Sequence, residues 1–301
     1  MADGAGRMVT IDDETRRVAR TFAPDLYLSA LLAPRRAQPA LIALAAFDGD
    51  IDRIILTVSE PSLAEIRLQW WRDALSNGLN ASPQTTTIPA NNPVASGSPV
   101  ADAVIAAARA NGLSFDGFDR ALDARSLDLY ADPLPGEAAL EAWIDATAGH
   151  ALRASARILD DAAAAAGPAQ ALIAASASAI GRTRLLCATA ALLARGRPPF
   201  PSPFPTPAPS AILGADPETG EALRAMVKRH ATEVRDKYDT AKQHWRAAPE
   251  AARLACLPLG LVPSYLTAVT APGHDPRRSI AVISPLTRVW RLWRARRLGL
   301  V

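Results

Sequence analysis

The sequence predicts an all-α protein. Alanine is by far its commonest residue and is the best helix former. β-branched residues are scattered, and alternating apolar and polar runs are absent. Apolar residues instead recur at helical spacing through most segments.

The helices are expected in this order. Asp12–Leu32 and Ala37–Thr57 come first, then Pro61–Asn77. Pro61 suits a first helical turn, Ser62 with Glu65 fits a capping box, and Asn77-Gly78 suits a helix end. Val100–Asn111, Asp116–Tyr130 and Gly136–Ala165 follow, then Ala169–Arg195, Glu218–Ala247, Ala251–Thr270 and Pro285–Arg297. Two stretches are not helix. Residues 81–99 (ASPQTTTIPANNPVASGSP) are polar and charge-free, and residues 198–209 (PPFPSPFPTPAP) carry proline at nearly every second position. Either composition suits an SH3-type ligand, a linker or a surface loop. Helical pattern of similar composition resumes on both sides, so residues 1–301 read as one domain with two loop insertions.

Composition narrows the function classes. The chain is 301 residues long and 49% hydrophobic, enough for a sizeable core, which excludes a mostly disordered chain. The net charge is only +3, so nucleic acid is not an expected partner. Two cysteines, Cys187 and Cys256, make neither a disulfide scaffold nor a four-ligand zinc site, which points to a reducing, cytoplasmic compartment. The N-terminus lacks the apolar core of a secretory signal. The uncharged windows Ala162–Gly181 and Leu257–Pro272 are too weakly apolar or too interrupted to span a bilayer. His150, His230, His244 and His274 have no metal-ligand spacing, and no phosphate-binding glycine loop or nucleophile elbow occurs.

Phe47-Asp48-Gly49-Asp50-Ile51-Asp52-Arg53 is the first candidate for chemistry. On a helix, Asp48 and Asp52 stand one turn apart on one face, and Asp50 points away. Paired carboxylates of this kind can hold Mg²⁺ against a diphosphate. Such pairs are common on exposed faces, and spacing alone favours a solvated acidic turn, with Arg53 and Arg72 as ion-pair partners. Next comes Ile66 through Leu75. Ile66, Trp70 and Ala74 form one apolar stripe and Leu68, Trp71 and Leu75 a second, so the helix is expected to be buried among neighbours. Arg67 and Arg72 could bind phosphate or pair with Glu65 and Asp73. Asp116, Asp119 and Asp123 read as a solvated acidic face, Asp128 as a structural acid and Cys187 as an inert packed thiol.

Tyr27–Leu75, with its EPSLAEIRLQWWRDAL segment, resembles the opening of the squalene/phytoene synthase family. It looks most like a subgroup of proteobacteria and mitochondria that includes assembly factors for respiratory complex I. The similarity continues through Leu122–Leu159, Leu257–Leu266 and Ile283–Arg297. It implies a single isoprenoid-synthase-like helical bundle around a central cavity. The family's enzymes join two isoprenoid diphosphates head to head. Two acidic motifs on facing helices hold the Mg²⁺ that assists diphosphate departure.

This chain departs from that pattern. Its first motif falls on Asp52-Arg53-Ile54-Ile55-Leu56, with Leu56 where the last Asp is expected and Gly49 where the enzymes carry an Arg. The two acids of the second motif fall on Ala188 and Leu192, and a pocket tyrosine falls on Trp143. The resemblance therefore implies vestigial motif positions, no catalytic residues and no cofactor. Arg53, Arg182 and Arg184 remain as candidate diphosphate contacts, and Asp48 with Asp52 as the one candidate metal pair. The implied role is a non-catalytic assembly factor at the inner face of the bacterial cytoplasmic membrane, in contact with complex I subunits or assembly intermediates and able to hold an isoprenoid lipid. The alternatives are an active Mg²⁺-dependent prenyltransferase and an isoprenoid-binding scaffold without a complex I link.

The C-terminal segment adds a further expectation. Leu286, Val289, Trp290 and Trp293 lie on one side at helical spacing, with Arg288, Arg291, Arg294, Arg296 and Arg297 crowding the rest. Such a helix either packs its Trp face on the bundle or makes peripheral contact with an anionic membrane or a partner.

Overall fold

The computed structural model describes residues 11–58, 60–80, 96–130, 132–201 and 217–300. No strand occurs among them. Most of the first loop insertion (residues 81–95) and residues 202–209 of the second lie outside the described residues. The chain divides into two compact units, Met1–Leu129 with Ala154–Ala162, and Tyr130–Arg153 with Ala163–Val301.

The first unit contains α1 (Asp13–Phe22), α2 (Pro24–Leu31), α3 (Gln38–Thr57), α4 (Pro61–Asn80), α5 (Pro99–Ala110) and α6 (Phe115–Ser126), which ends in the 3₁₀ turn Leu127–Leu129. The Asp12 carboxylate caps α1 by accepting from the Thr15 amide and hydroxyl, each at 2.8 Å. The single helix expected over residues 12–32 is split at Ala23, because Pro24 has no N–H to continue the ladder. The central helix is α3, whose Leu41–Phe47 run is buried continuously. Phe47 meets Trp71 and Phe118 edge-to-face, with ring centroids 5.2 Å away in both cases.

Three details of α4 differ from expectation. The helix begins at Pro61, so Ser62 stands inside it and is not the cap; the Glu60 carbonyl accepts from the Leu63 and Ala64 amides instead. It runs past Gly78 to Asn80, because Gly78 serves close packing: a Cβ there would stand 2.6 Å from Ile105 Cδ1. Only one of the two apolar stripes is buried. Leu68, Trp71 and Leu75 face the core, while Ile66 and Trp70 are exposed. In α5 the helix takes in Pro99 at its first turn, capped by Ser98, so the preceding loop ends one residue earlier than its composition suggests.

The second unit holds α7 (Glu137–Ile144), which continues through one π-helical turn, Asp145–Gly149, into α8 (His150–Leu159), whose residues from Ala154 onward are assigned to the first unit. A short α9 (Asp161–Ala164) follows, so the long helix expected over residues 136–165 is interrupted twice. The largest element pair is α10 (Gly167–Cys187) packed on α12 (Pro217–Trp245). A one-residue break at Ala188 separates α10 from α11 (Thr189–Ala194). The break leaves the Cys187 carbonyl to accept from the Ala281 amide at 3.3 Å. The expected helix over residues 251–270 is three pieces: α13 (Glu250–Ala255), the 3₁₀ turn Leu257–Leu261 containing Pro258, and α14 (Val262–Val269). The last helix, α15 (Pro285–Leu298), is capped by Ser284 and packs Leu292 and Ala295 inward.

Candidate functional site

In the first unit α3 carries all three acids of the Asp48–Asp52 segment, and arginine engages two of them. Asp50 accepts from Arg53 at 2.5 and 3.0 Å and from the Trp71 indole N–H at 2.9 Å. Arg53 also lies over the Phe22 ring, 5.7 Å from its centroid. Asp52 is ion-paired with Arg125 of α6, which also holds Asp128 at 2.9 Å. Asp128 is 8% exposed, so its charge is neutralised inside the unit. Asp48 is half-buried one turn before Asp52, and Leu56 is 52% exposed.

Gly49, where the enzymes carry an arginine, has a packing reason. A Cβ there would lie 3.0 Å from Phe22 Cβ and 3.2 Å from the Ala23 amide, where the end of α1 meets α3. A long side chain needs α1 to move.

Arg72 does not serve the Asp48–Asp52 segment, nor does it pair with Asp73. It bridges Asp119 and Asp123 of α6, at 2.5 Å from Asp119. Those acids therefore face a cation and not solvent alone. Asp73 accepts from Gln69 instead. Sequence reasoning missed Arg125 and the Arg72–Asp119–Asp123 bridge, because ion pairs between helices distant in sequence leave no mark in residue spacing. The i,i+3 pairing of Arg125 with Asp128 was the one readable signal.

In the second unit the motif positions Ala188 and Leu192 lie at and just beyond the break between α10 and α11, both half-buried. Arg182, one to two turns earlier on α10, has a side chain only 3% exposed. It is held by Glu137 and by Glu141, the latter at 2.8 Å. Burial pushes the Glu141 carboxyl up. The Arg182 hydrogen bond and charge, with Ser178 and Lys237, outweigh it and leave Glu141 below the usual carboxylate range. Arg184 is half-buried nearby in sequence. Trp143 is 7% exposed at the end of α7, and its carbonyl accepts from the Thr147 hydroxyl at 2.8 Å. Burial pushes the Cys256 thiol up to about 12, so this thiol is not a nucleophile near neutral pH. Cys187 is half-buried.

A groove of about 710 Å³ opens where the end of α12, α13 and the end of α15 meet. Lys242, Arg246, Arg253, Arg296 and Arg297 line it, with Glu250 paired to Arg296 at 3.0 Å. Its walls are too charged to bury an isoprenoid tail.

Whether these residues fit the Mg²⁺ that the resemblance implies is a question of donors. Among the described residues no group of three or more His, Cys, Asp or Glu converges as a metal site. Magnesium is held through carboxylate oxygens and phosphates. Here Asp52 is committed to Arg125, and the second motif offers a methyl and an isobutyl group. The donor set does not fit.

The sequence profile of squalene/phytoene synthase matches residues 17–289. The chain belongs to the squalene/phytoene synthase family. Two solved structures share its fold. Squalene synthase HpnC from Alicyclobacillus acidocaldarius superposes with a TM-score of 0.61 at 18% identity, over 88% of this chain and 94% of that one. A dehydrosqualene synthase in complex with ligand superposes with a TM-score of 0.68 at 14% identity, over 93% of both chains. No curated protein matches the sequence. The all-α isoprenoid-synthase fold is thus established for this family member.

The C-terminal helix presents its apolar side outward. Leu286 is 83% exposed, Trp290 52% and Trp293 48%, while Leu292 and Ala295 pack inward. Packing of the Trp face on the bundle, the alternative left by the sequence, is therefore not what α15 does. No helix among the described residues is long and apolar enough to cross a membrane.

Proposed function

We propose that this family member does not condense prenyl diphosphates and acts instead as a peripheral membrane assembly factor for respiratory complex I, at the inner face of the cytoplasmic membrane. The observation that carries the first half is the state of the two acidic motifs. Asp52 is spent on Arg125, which also holds Asp128, and Ala188 and Leu192 replace the second pair. Leaving-group departure needs cationic charge held at the diphosphate. Arg53 and Arg182 do not supply it, because each is already neutralised by the chain's own carboxylates. The reading requires no cofactor.

The second half is supported by the resemblance of Tyr27–Leu75 to the motif-degenerate subgroup, a warrant of analogy and not of geometry. Complex I subunits or assembly intermediates are then the partners, and an isoprenoid or quinone tail is the ligand class for which the fold is retained. Two measurements test it. Purified protein incubated with farnesyl or geranylgeranyl diphosphate and Mg²⁺ is expected to release no pyrophosphate; steady release returns the chain to the prenyltransferases. A deletion strain is expected to lose assembled complex I, and normal complex I level and activity reject the assembly role.

A further inference from the structure

We propose that α15 is a lipid-docking helix that lies in the interface of an anionic bilayer, with Leu286, Val289, Trp290 and Trp293 entering the headgroup boundary and Arg291, Arg294 and Arg297 engaging lipid phosphates. This deepens the peripheral-membrane part of the reading above and is independent of complex I.

At 100° per residue, Leu286, Val289, Trp290, Trp293 and Arg297 share one side of the helix, opposite the inward Leu292 and Ala295. Every apolar member of that side is close to half exposed or more. Water-facing tryptophans paired at this spacing are costly unless something covers them. The helix contains no acidic residue and five arginines. Two of the five are used inward: Arg288 donates to the Tyr265 hydroxyl at 3.1 Å, and Arg296 pairs with Glu250. Arg291 and Arg294 stand beside the outward face, with guanidinium carbons 5.5 and 5.4 Å from the Trp290 ring centroid. That contact holds cation and indole at one level, as a headgroup layer requires. The chain leading into the helix adds Ile280 and Val282, 54% and 71% exposed.

Charge complementarity selects the occupant. A stripe of tryptophan flanked only by arginine matches an anionic lipid surface, where apolar insertion and phosphate attraction act together. Helix length and composition give interfacial residence, not spanning.

The test is co-sedimentation of the full chain with vesicles rich in phosphatidylglycerol, against pure phosphatidylcholine. The wild type is expected in the pellet with anionic vesicles at low salt, and in the supernatant with neutral ones. R291Q/R294Q/R297Q is expected to lower partitioning on the order of a hundredfold, at roughly tenfold or less per cation. W290S/W293S is expected to abolish quenching by brominated lipid and to weaken partitioning. Trp290, Trp293 and Arg297 are exposed, and Arg291 and Arg294 are half-buried against the Trp290 ring with no acidic partner among the ion pairs of the described residues, so the thermal melts of both variants should stay close to the wild type. Wild type that stays in the supernatant overturns the proposal. So does equal binding to neutral vesicles, or wild-type binding by either variant; the latter two results point to another surface or a protein partner. Loss of vesicle binding leaves the assembly reading standing, and a normal deletion strain leaves the lipid surface standing.

Discussion

The two motif regions treat their charged groups in opposite ways. On α3 carboxylates survive and are paired, Asp50 with Arg53 and with a hydrogen bond from the Trp71 indole, Asp52 with Arg125. On α10 and α11 the carboxylates are gone and a cation remains, and that cation, Arg182, is neutralised by Glu137 and Glu141 of α7. Each of these ion pairs is made between residues of one unit. A buried charge that is paired within the fold resists recruitment by a ligand, because breaking the pair leaves its partner desolvated and alone. The difference also predicts which region is more fragile. Arg182 is deeply buried, whereas Asp52 keeps a quarter of its side chain in solvent.

The largest expected effect comes from stranding Arg182. E137Q/E141Q removes both counter-charges and leaves a guanidinium in the interior, at a cost of about 3–5 kcal/mol. Urea unfolding reads it directly. R182M, which removes the charge with its demand for a partner, should cost less than the double change; a larger loss would mean that packing and not ion pairing holds α7 to α10. Acid sharpens the point. Glu141 titrates below its ordinary 4.5 in the fold. Its contribution is therefore fully present above that value and is lost as pH falls through the lowered one. The gap between wild type and E137Q/E141Q should narrow as pH falls through that lowered range.

The second test falls on the other region. R125M takes the guanidinium away from Asp128, whose side chain is 4% exposed, and from Asp52. The expected cost is about 3 kcal/mol in urea unfolding. The same variant asks whether Asp48 and Asp52 form a metal pair once freed. Millimolar Mg²⁺ is expected to raise the melting temperature of neither wild type nor R125M, since a few carboxylates without a bound diphosphate supply too few of the oxygen ligands that Mg²⁺ takes. A rise confined to R125M would expose a latent site and weaken the comparison.

How much of this was readable follows from range. The all-α class, the central helix over residues 38–57 and the alignment of Asp48 with Asp52 rest on spacing within one helix, which a sequence displays. The loss of acids at Ala188 and Leu192 is equally plain. Proline marks two of the breaks, at Pro24 and Pro258. The break at Ala188 has no such mark, and Gly78 imitates a helix end because close packing against Ile105 and a helix stop both select glycine. The pairings that decide the site, Asp52 with Arg125 and Arg182 with Glu137, join separate helices. Nothing local distinguishes them from Arg72 with Asp73, the pairing the sequence favoured and the fold did not make. The direction of α15 was undecided for the same reason: a helix with Trp on one side and Leu292 on the other does not say which side meets the bundle.

The smallest effect belongs to the exposed edge of the first unit's network. Arg72 bridges Asp119 and Asp123, and the Asp123 side chain is 67% exposed. Solvent screens that contact, and holding the long Arg72 side chain in one geometry costs entropy, so D123N should change stability by about 0.5 kcal/mol or less. D119N acts on the half-buried arm and should cost more, about 1 kcal/mol. Both differences should shrink in high salt, whereas the losses at Arg182 and Arg125 should shrink less, because the Arg182 and Asp128 side chains are themselves buried and less screened. Urea unfolding of all four variants at low and high salt separates the two kinds of charge. If the salt dependence of E137Q/E141Q matched that of D123N, Arg182 would be a surface residue in its energetics. The claim that the second unit keeps its cation for structure would then fail.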